Sequence, residues 1–168
     1  MPELSAGPAR RYLLFSVDTE PDDFHWRGLH RGGWTHENLR GLGRLAEVCR
    51  DLGVKPTFFM THSVAMRGEA AWALRPLLHE GLGEVGGHLH PGDTPPFGDW
   101  DLRCGDNILR LPDDLLAAKF SVLHGEIGSR FGRPTSYRSA AWALDARVVG
   151  LLERHGYLAD SSVTPGVS

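Results

Sequence analysis

Short apolar runs alternate along this chain with longer segments in which apolar residues recur every three to four positions. The apolar runs predict buried strands over 11–17, 55–61, 84–89, 135–139 and 157–163. The periodic segments predict helices over 35–53, 68–79, 113–132 and 144–156. Within the third helix, the predicted core face is Leu116, Phe120, Leu123, Ile127 and Phe131. Asp145 is a plausible N-cap for the last helix, and Gly156 would end it.

Strands that alternate with helices predict an α/β fold with parallel strands and right-handed crossovers. The sheet could be open and doubly wound, or it could belong to a barrel. In both architectures, functional residues collect at the carboxyl ends of the strands. Polar residues stand at the end of every predicted strand, namely Asp18, Glu20, Asp22 and Asp23, then Thr61 and His62, His88 and His90, Arg138, and finally Asp160, Ser161 and Ser162.

Composition limits the possible functions. The chain has 168 residues, 41% hydrophobic and 23% charged, which predicts a tail over 1–10 and one packed domain over 11–168. The net charge of -3 offers no basic field for nucleic acid. The chain has no apolar run long enough to span a membrane, and "YLLFSV" is too short for a signal peptide, so we expect a cytoplasmic protein. Cys49 and Cys104 fit no metal-binding pattern, and we expect reduced thiols, with Cys49 buried on a helix.

The segment "EVGGHLHPGDTPPF" carries the strongest chemical signal. His88 and His90 lie two residues apart, so a regular strand would point both imidazoles to the same side. With a carboxylate from the nearby acidic loop, they would suit a divalent metal, zinc above all. Glu20 and Asp22 are the candidate carboxylate ligands. The alternative is that one histidine caps the strand end while the other faces solvent.

Asp18 follows a buried apolar run, where a carboxylate is costly unless a cation pairs with it. Arg138, at the end of another strand, could be that partner. The alternatives are a solvated acidic loop and a surface ion pair. Taken together, the residues indicate a metal-assisted hydrolase, in which a metal activates water and polarises a carbonyl while a carboxylate takes the proton of the water.

The motifs "FSVDTE", "EVGGHLHP", "YRSAAW" and "DSSVTP" resemble, in this order, those of the polysaccharide deacetylase family (NodB-homology domain). The resemblance runs from about Leu13 to Pro165. It implies a distorted (β/α) barrel and a metal-dependent carbohydrate esterase that removes N- or O-acetyl groups from glycans. It also implies roles for single residues: Asp18 as catalytic base, Arg138 as the residue that orients it, and His88 as a metal ligand. By the same resemblance, Asp160, Ser161 and Ser162 would line the substrate groove.

Three positions depart from the family pattern. Thr19 stands where the family has a metal-binding aspartate, so Glu20, Asp22, Asp23 or Asp18 itself would have to bind the metal. Gly92 stands at the usual place of the second histidine, and His90 lies two residues earlier. The late histidine that acts as general acid does not occur before Ser168. We therefore expect a domain whose C-terminal part is missing, with a strand edge that another segment or a second copy of the chain would cover.

The expected partner is an acetylated glycan or a small amide substrate. Four tryptophans could stack on sugar rings, namely Trp26 and Trp100 on predicted loops near the site, and also Trp34 and Trp142. The alternative is core or lid packing, which we expect for Trp142. The alternative function is a catalytically impaired deacetylase-like domain that binds a glycan or another partner.

Overall fold

The structure is a computed structural model, and it describes residues 11–22, 34–164 and 166. This part of the chain contains one sheet of parallel strands in the order β1-β2-β3-β4-β5. The strands are β1 Ser16–Thr19, β2 Thr57–Met60, β3 Glu84–Leu89, β4 Ser136–Ser139 and β5 Ala159–Asp160. The predicted α/β class with parallel strands is confirmed. The first and last strands are shorter than the sequence predicted, and Asp18 lies within β1, not after it.

Helices connect the strands. They are α1 Leu42–Asp51, α2 His62–Ala65, α3 Gly68–His79, α4 Trp100–Cys104, α5 Asp113–Phe131 and α6 Ala146–His155. Short 3-10 helices cover Glu37–Gly41, Ile108–Arg110 and Ala140–Trp142. The helix predicted over 35–53 therefore begins as a 3-10 turn, and the predicted loop before α5 contains α4 and a second 3-10 turn. Among the described residues, no helix has the length and apolar character needed to cross a membrane.

The strand order decides between the two architectures left open by the sequence. Each strand pairs with the next one along the chain, and all pairs are parallel. Right-handed crossovers that always advance in one direction place the connecting helices on one face of the sheet. A doubly wound sheet would instead reverse its order and carry helices on both faces. The sheet is thus wound like a segment of a (β/α) barrel, with β1 and β5 at its two edges in the described part of the chain.

The two faces of the sheet differ in polarity. Phe58, Met60, Leu89 and Tyr137 are buried in the core that packs against the helices, together with the α5 residues Leu116, Phe120, Leu123 and Ile127. Phe131, predicted on the same helix face, is only partly buried. Side chains alternate along a strand, so residues one position away point to the opposite face. Asp18, His88 and Arg138 lie on that opposite face, and the sheet thereby presents a polar surface away from its helices.

Close packing around β3 depends on glycine. A Cβ atom on Gly86 would lie 2.6 Å from Ser136 Oγ and 2.8 Å from the Ser136 carbonyl oxygen. It would also lie 2.8 Å from the Phe59 ring. The absence of a side chain at Gly86 lets the neighbouring strands close around β3 two residues before His88.

Candidate metal centre and active site

Glu20, His88 and His90 converge on the polar face of the sheet. The Nε2 atom of His88 lies 2.9 Å from Glu20 Oε1 and 3.1 Å from His90 Nε2. The third side of the triangle, from His90 Nε2 to Glu20 Oε1, measures 3.7 Å. Ligand atoms at tetrahedral positions around zinc are separated by about 3.3 Å, given bonds of about 2.0–2.1 Å. Within the described residues, this is the one group of three potential ligands close enough to share a metal ion.

The other ring nitrogen of each histidine is already engaged. His88 Nδ1 donates to the carbonyl oxygen of Arg138 at 2.7 Å. His90 Nδ1 lies 3.2 Å from Asp106 Oδ1, and an ionised carboxylate can only accept from it. When Nδ1 carries the proton, the lone pair of a neutral imidazole is on Nε2. In their neutral forms, both histidines therefore direct a lone pair into the cluster, and partners of this kind are typical of metal-binding histidines.

The electrostatics of the cluster favour added positive charge. Burial opposes ionisation of Glu20, but the hydrogen bond from His88 and the nearby charge of His90 outweigh it and hold the pKa of Glu20 well below its ordinary value. Burial also opposes protonation of His90, yet the hydrogen bond to Asp106 and the nearby charge of Glu20 raise the pKa of His90 to about 9. A proton or a divalent cation can supply the positive charge that the acidic groups attract, and a bound metal would have to displace the proton.

Asp18 forms an ion pair beside this cluster. Arg138 Nη1 donates to Asp18 Oδ1 at 2.6 Å. The same guanidinium donates to Ser16 Oγ at 2.9 Å and to Ser161 Oγ at 2.7 Å, and it lies 4.4 Å from the centre of the Phe59 ring. Arg138 is therefore held by three hydrogen-bond partners and one aromatic ring, and its orientation sets the position of the Asp18 carboxylate.

A cavity of about 250 Å³ joins the ion pair and the cluster. Besides Asp18, Glu20, His88, His90 and Arg138, it is lined by Asp106, Ser139, Ala141 and Trp142. Trp142 is 59% exposed, so of the two packing roles expected for it, core packing is wrong and lid packing stays a prediction. Ala141 and Trp142 both have positive φ angles, 50° and 51°, which is rare for residues other than glycine and common at functional sites.

The sequence did not identify Asp106, and for Trp142 it favoured core or lid packing over a contact with a sugar ring. Asp106 lies in an irregular segment, where no hydrophobic period marks a direction for the side chain. Trp142 depends on two unusual backbone conformations that follow β4. For Trp142, the sequence offered one signal, which is the position of "YRSAAW" at the end of a strand, where functional residues collect.

Asp22 does not join the metal cluster. Its carboxylate accepts hydrogen bonds from Thr35 Oγ1 at 2.8 Å, from the Asn38 backbone N–H at 3.1 Å and from the Glu37 backbone N–H. It thereby holds the start of the first 3-10 helix. Asp23 and Trp26 lie outside the described residues.

The predicted substrate residues lie at the margin of the site. Ser162 Oγ donates to Asp160 Oδ2 at 2.8 Å and accepts from the Ser139 backbone N–H at 2.9 Å, so these residues tie β5 to the end of β4. Ser161 contacts Arg138, as described above. Trp100 is partly exposed on α4, 5.8 Å from the Arg103 guanidinium, and does not line the metal cavity.

His62, one of the polar residues predicted at a strand end, lies at the start of α2. It lines a separate cavity of about 440 Å³ together with Ser63 and Asp93. Burial lowers the pKa of His62, although the nearby Asp93 opposes this shift. The described residues that line the metal cavity do not include His62.

Comparison with known proteins gives a result at the level of the fold. No family model and no curated protein matches the sequence. A solved structure from Mycobacterium smegmatis, assigned to the polysaccharide deacetylases, superposes with a TM-score of 0.54 at 19% identity, over 73% of this chain and 38% of that one. The chitin deacetylase of the fungal pathogen Colletotrichum lindemuthianum gives 0.52 at 19% identity, over 71% of this chain and 49% of that one. The chain spans less than half the length of either protein.

Proposed function

We propose that this chain, which has a polysaccharide deacetylase-like fold, is a metal-dependent hydrolase that removes N- or O-linked acetyl groups from a carbohydrate or a related amide. One observation carries the proposal: the Glu20, His88 and His90 ligand atoms share a small cavity with the carboxylate of Asp18. Such an arrangement brings a cation site and a candidate base to the same reacting group.

In this proposal, Glu20, His88 and His90 hold the divalent cation, and zinc fits them best. The donor set of two imidazoles and one carboxylate is a common set of protein ligands in catalytic zinc sites, which keep a further position open. When bound, such a cation supplies Lewis-acid chemistry, because it polarises an acyl carbonyl and lowers the pKa of water. Glu20 takes the place that the family gives to an aspartate at Thr19, and His90 replaces the histidine absent at Gly92.

Asp18 is the proposed general base, and Arg138 orients it. The base takes a proton from the attacking water, and its 2.6 Å bond to Arg138 fixes where the proton is received. Arg138 also accepts from His88 through its carbonyl oxygen. One residue of β4 thus positions both the base and a metal ligand, so the two parts of the site keep a constant separation.

The cavity of about 250 Å³ suits an acyl group better than a whole sugar chain, so the rest of a glycan would extend outside it. Trp142, at the rim, offers an aromatic face for a sugar ring. Roles for Trp26, Trp100 and Asp160 in substrate binding remain predictions. For Ser161 and Ser162, the contacts favour a supporting role through Arg138 and β4.

The test combines metal analysis with an acetate-release assay on acetylated sugars. We expect stoichiometric zinc in the wild-type protein and its loss in the His88→Ala, His90→Ala double variant, together with loss of acetate release. Stoichiometric metal that persists in the double variant would refute the proposed ligand set.

A second candidate is a catalytically impaired domain that binds a glycan. Among the described residues that line the cavity, His88 and His90 are the two histidines. None of these residues therefore corresponds to the histidine near the end of the family's domain that acts as general acid. Zinc binding without acetate release, combined with measurable binding of the sugar, would identify this second function.

Self-association through the β5 edge also remains a prediction. Within the described residues, β5 pairs only with β4, and the flanking Leu158 and Val163 are exposed. A second copy of the chain could cover these apolar side chains. Sedimentation analysis would show a dimer that dissociates in Leu158→Asp, whereas a wild-type monomer would contradict the prediction.

A further inference from the structure

Asp106 is an acidic residue of the cavity to which the proposed reaction gives no role. It lies between α4 and the second 3-10 helix, with its side chain 29% exposed. Its Oδ1 atom is 3.2 Å from Nδ1 of His90, whose own side chain is almost fully buried. The carboxylate therefore contacts a proposed metal ligand on the side opposite to Glu20.

The two histidines have different partners at Nδ1. His88 donates to a neutral backbone carbonyl, that of Arg138. His90 meets a carboxylate instead. A carboxylate fixes the ring and its tautomer as a carbonyl does, but its negative charge also makes the imidazole a better donor to a cation. A change of side chain can remove the contact to His90, whereas the contact to His88 belongs to the backbone.

The turn that presents Asp106 is held independently of its carboxylate. Gly105 has φ 60° and ψ -141°, a conformation open essentially to glycine alone. Asn107 N–H donates to the Cys104 carbonyl at 3.2 Å, and the Asn107 side chain accepts from Leu109 N–H at 3.0 Å. Cys104 is itself buried. A substitution at Asp106 should therefore leave this backbone in place.

We propose that Asp106 is a positioning residue of the metal centre, which holds the Nδ1–H of His90 so that Nε2 faces the cation shared with Glu20 and His88. It acts through His90 and not on the substrate. The inference rests on the proposed function, since it requires that the cluster binds metal.

The experiment measures zinc affinity by competition with a chromophoric chelator. Asp106→Ala should weaken binding by about 10- to 100-fold, the usual effect of losing such a partner. Asp106→Asn keeps an acceptor oxygen without the charge and should fall between Asp106→Ala and the wild type. Asp99→Ala is the matched control, because Asp99 is an exposed acid of the same connecting segment. It should bind zinc like the wild type.

A second readout separates positioning from a general loss of structure. In zinc-loaded protein with ¹⁵N-labelled histidine, the Nδ1–H of His90 should give a protected signal in the wild type. In Asp106→Ala this signal should be lost to exchange with water, while the corresponding signal of His88 stays and the melting temperature is retained.

Three results would overturn the inference. Wild-type zinc affinity in both Asp106 variants would show that the contact does not position His90. An equal loss in Asp99→Ala would assign the effect to net charge. A wild-type protein that binds no zinc would overturn the proposed function as well, so the two failures can be told apart.

Discussion

Lys119 provides the sharpest test of how the segment after the metal histidines is held. It lies on α5 with its side chain fully buried. Its ammonium group donates to the carbonyl oxygens of Pro91 at 2.9 Å, Thr94 at 2.6 Å and Pro96 at 2.8 Å. These residues directly follow His90. The perturbation is Lys119→Met, which keeps most of the apolar stem and removes the cation.

The expected loss of stability follows from these contacts. Pro91 and Thr94 are buried, and each of their carbonyls left without a partner costs about 1–3 kcal/mol, which gives about 2–6 kcal/mol for the two, whereas the exposed Pro96 can accept from water instead. Removing the ammonium also removes its desolvation penalty, which amounts to several kcal/mol for a buried ion. We expect a net destabilisation of about 1–3 kcal/mol, a sizeable share of the roughly 5–15 kcal/mol typical of a domain. With about 2–4 °C per kcal/mol, the melting temperature should fall by about 2–12 °C.

Urea and thermal unfolding, followed by circular dichroism at neutral pH, would measure this loss. Lys55 is the other lysine of the chain, and it is exposed at the end of the loop before β2. Lys55→Met is therefore the matched control and should stay within about 0.5 kcal/mol of the wild type. If Lys119→Met also stayed within about 0.5 kcal/mol, the three carbonyls would not depend on the ammonium, and the reasoning would be refuted.

Three further predictions address the site, the sheet and the last helix. Asp18→Asn should lower acetate release by about 10²–10⁴-fold while shifting the melting temperature little, because Arg138 keeps its other partners; intact activity would assign the base elsewhere. Gly86→Ala should cost about 1–3 kcal/mol in urea unfolding because its Cβ would overlap Ser136, whereas Gly128→Ala, in open space on α5, should not destabilise. Asp145 accepts from two backbone N–H groups of α6, and although burial opposes ionisation, its hydrogen bonds with Arg147 and Val148 lower its pKa. Asp145→Ala should cost about 1 kcal/mol at pH 7. The lowered pKa means that the folded protein is stabilised by the ionised carboxylate and not by the protonated one, so the difference from wild type should shrink as the pH falls below about 4.

Local sequence patterns determined the order and type of the main elements. The ranges predicted for α3 and β3 agree with the structure, and Asp145 caps α6 as expected. These features depend on the periodic placement of apolar residues and on contacts within a few positions, both of which a single sequence displays. The shared direction of His88 and His90 also follows from strand geometry alone, because the strand repeats every two residues. Strand ends were less predictable, as the short β1 and β5 show.

The tertiary structure alone decided how distant segments meet. The contact between Glu20 and His88 joins positions 68 residues apart. The sequence could not choose among the carboxylates of Asp18, Glu20, Asp22 and Asp23 as the one nearest the histidines. Strand order also distinguished between the two architectures that the sequence left open, because the strands follow one another as in a segment of a (β/α) barrel and not as in a doubly wound sheet. Asp106 and Trp142 reached the cavity through irregular backbone, which carries no periodic signal. Periodicity specifies the face on which a side chain lies, but the partner across that face depends on strand register and loop conformation, which the packing of the whole chain sets.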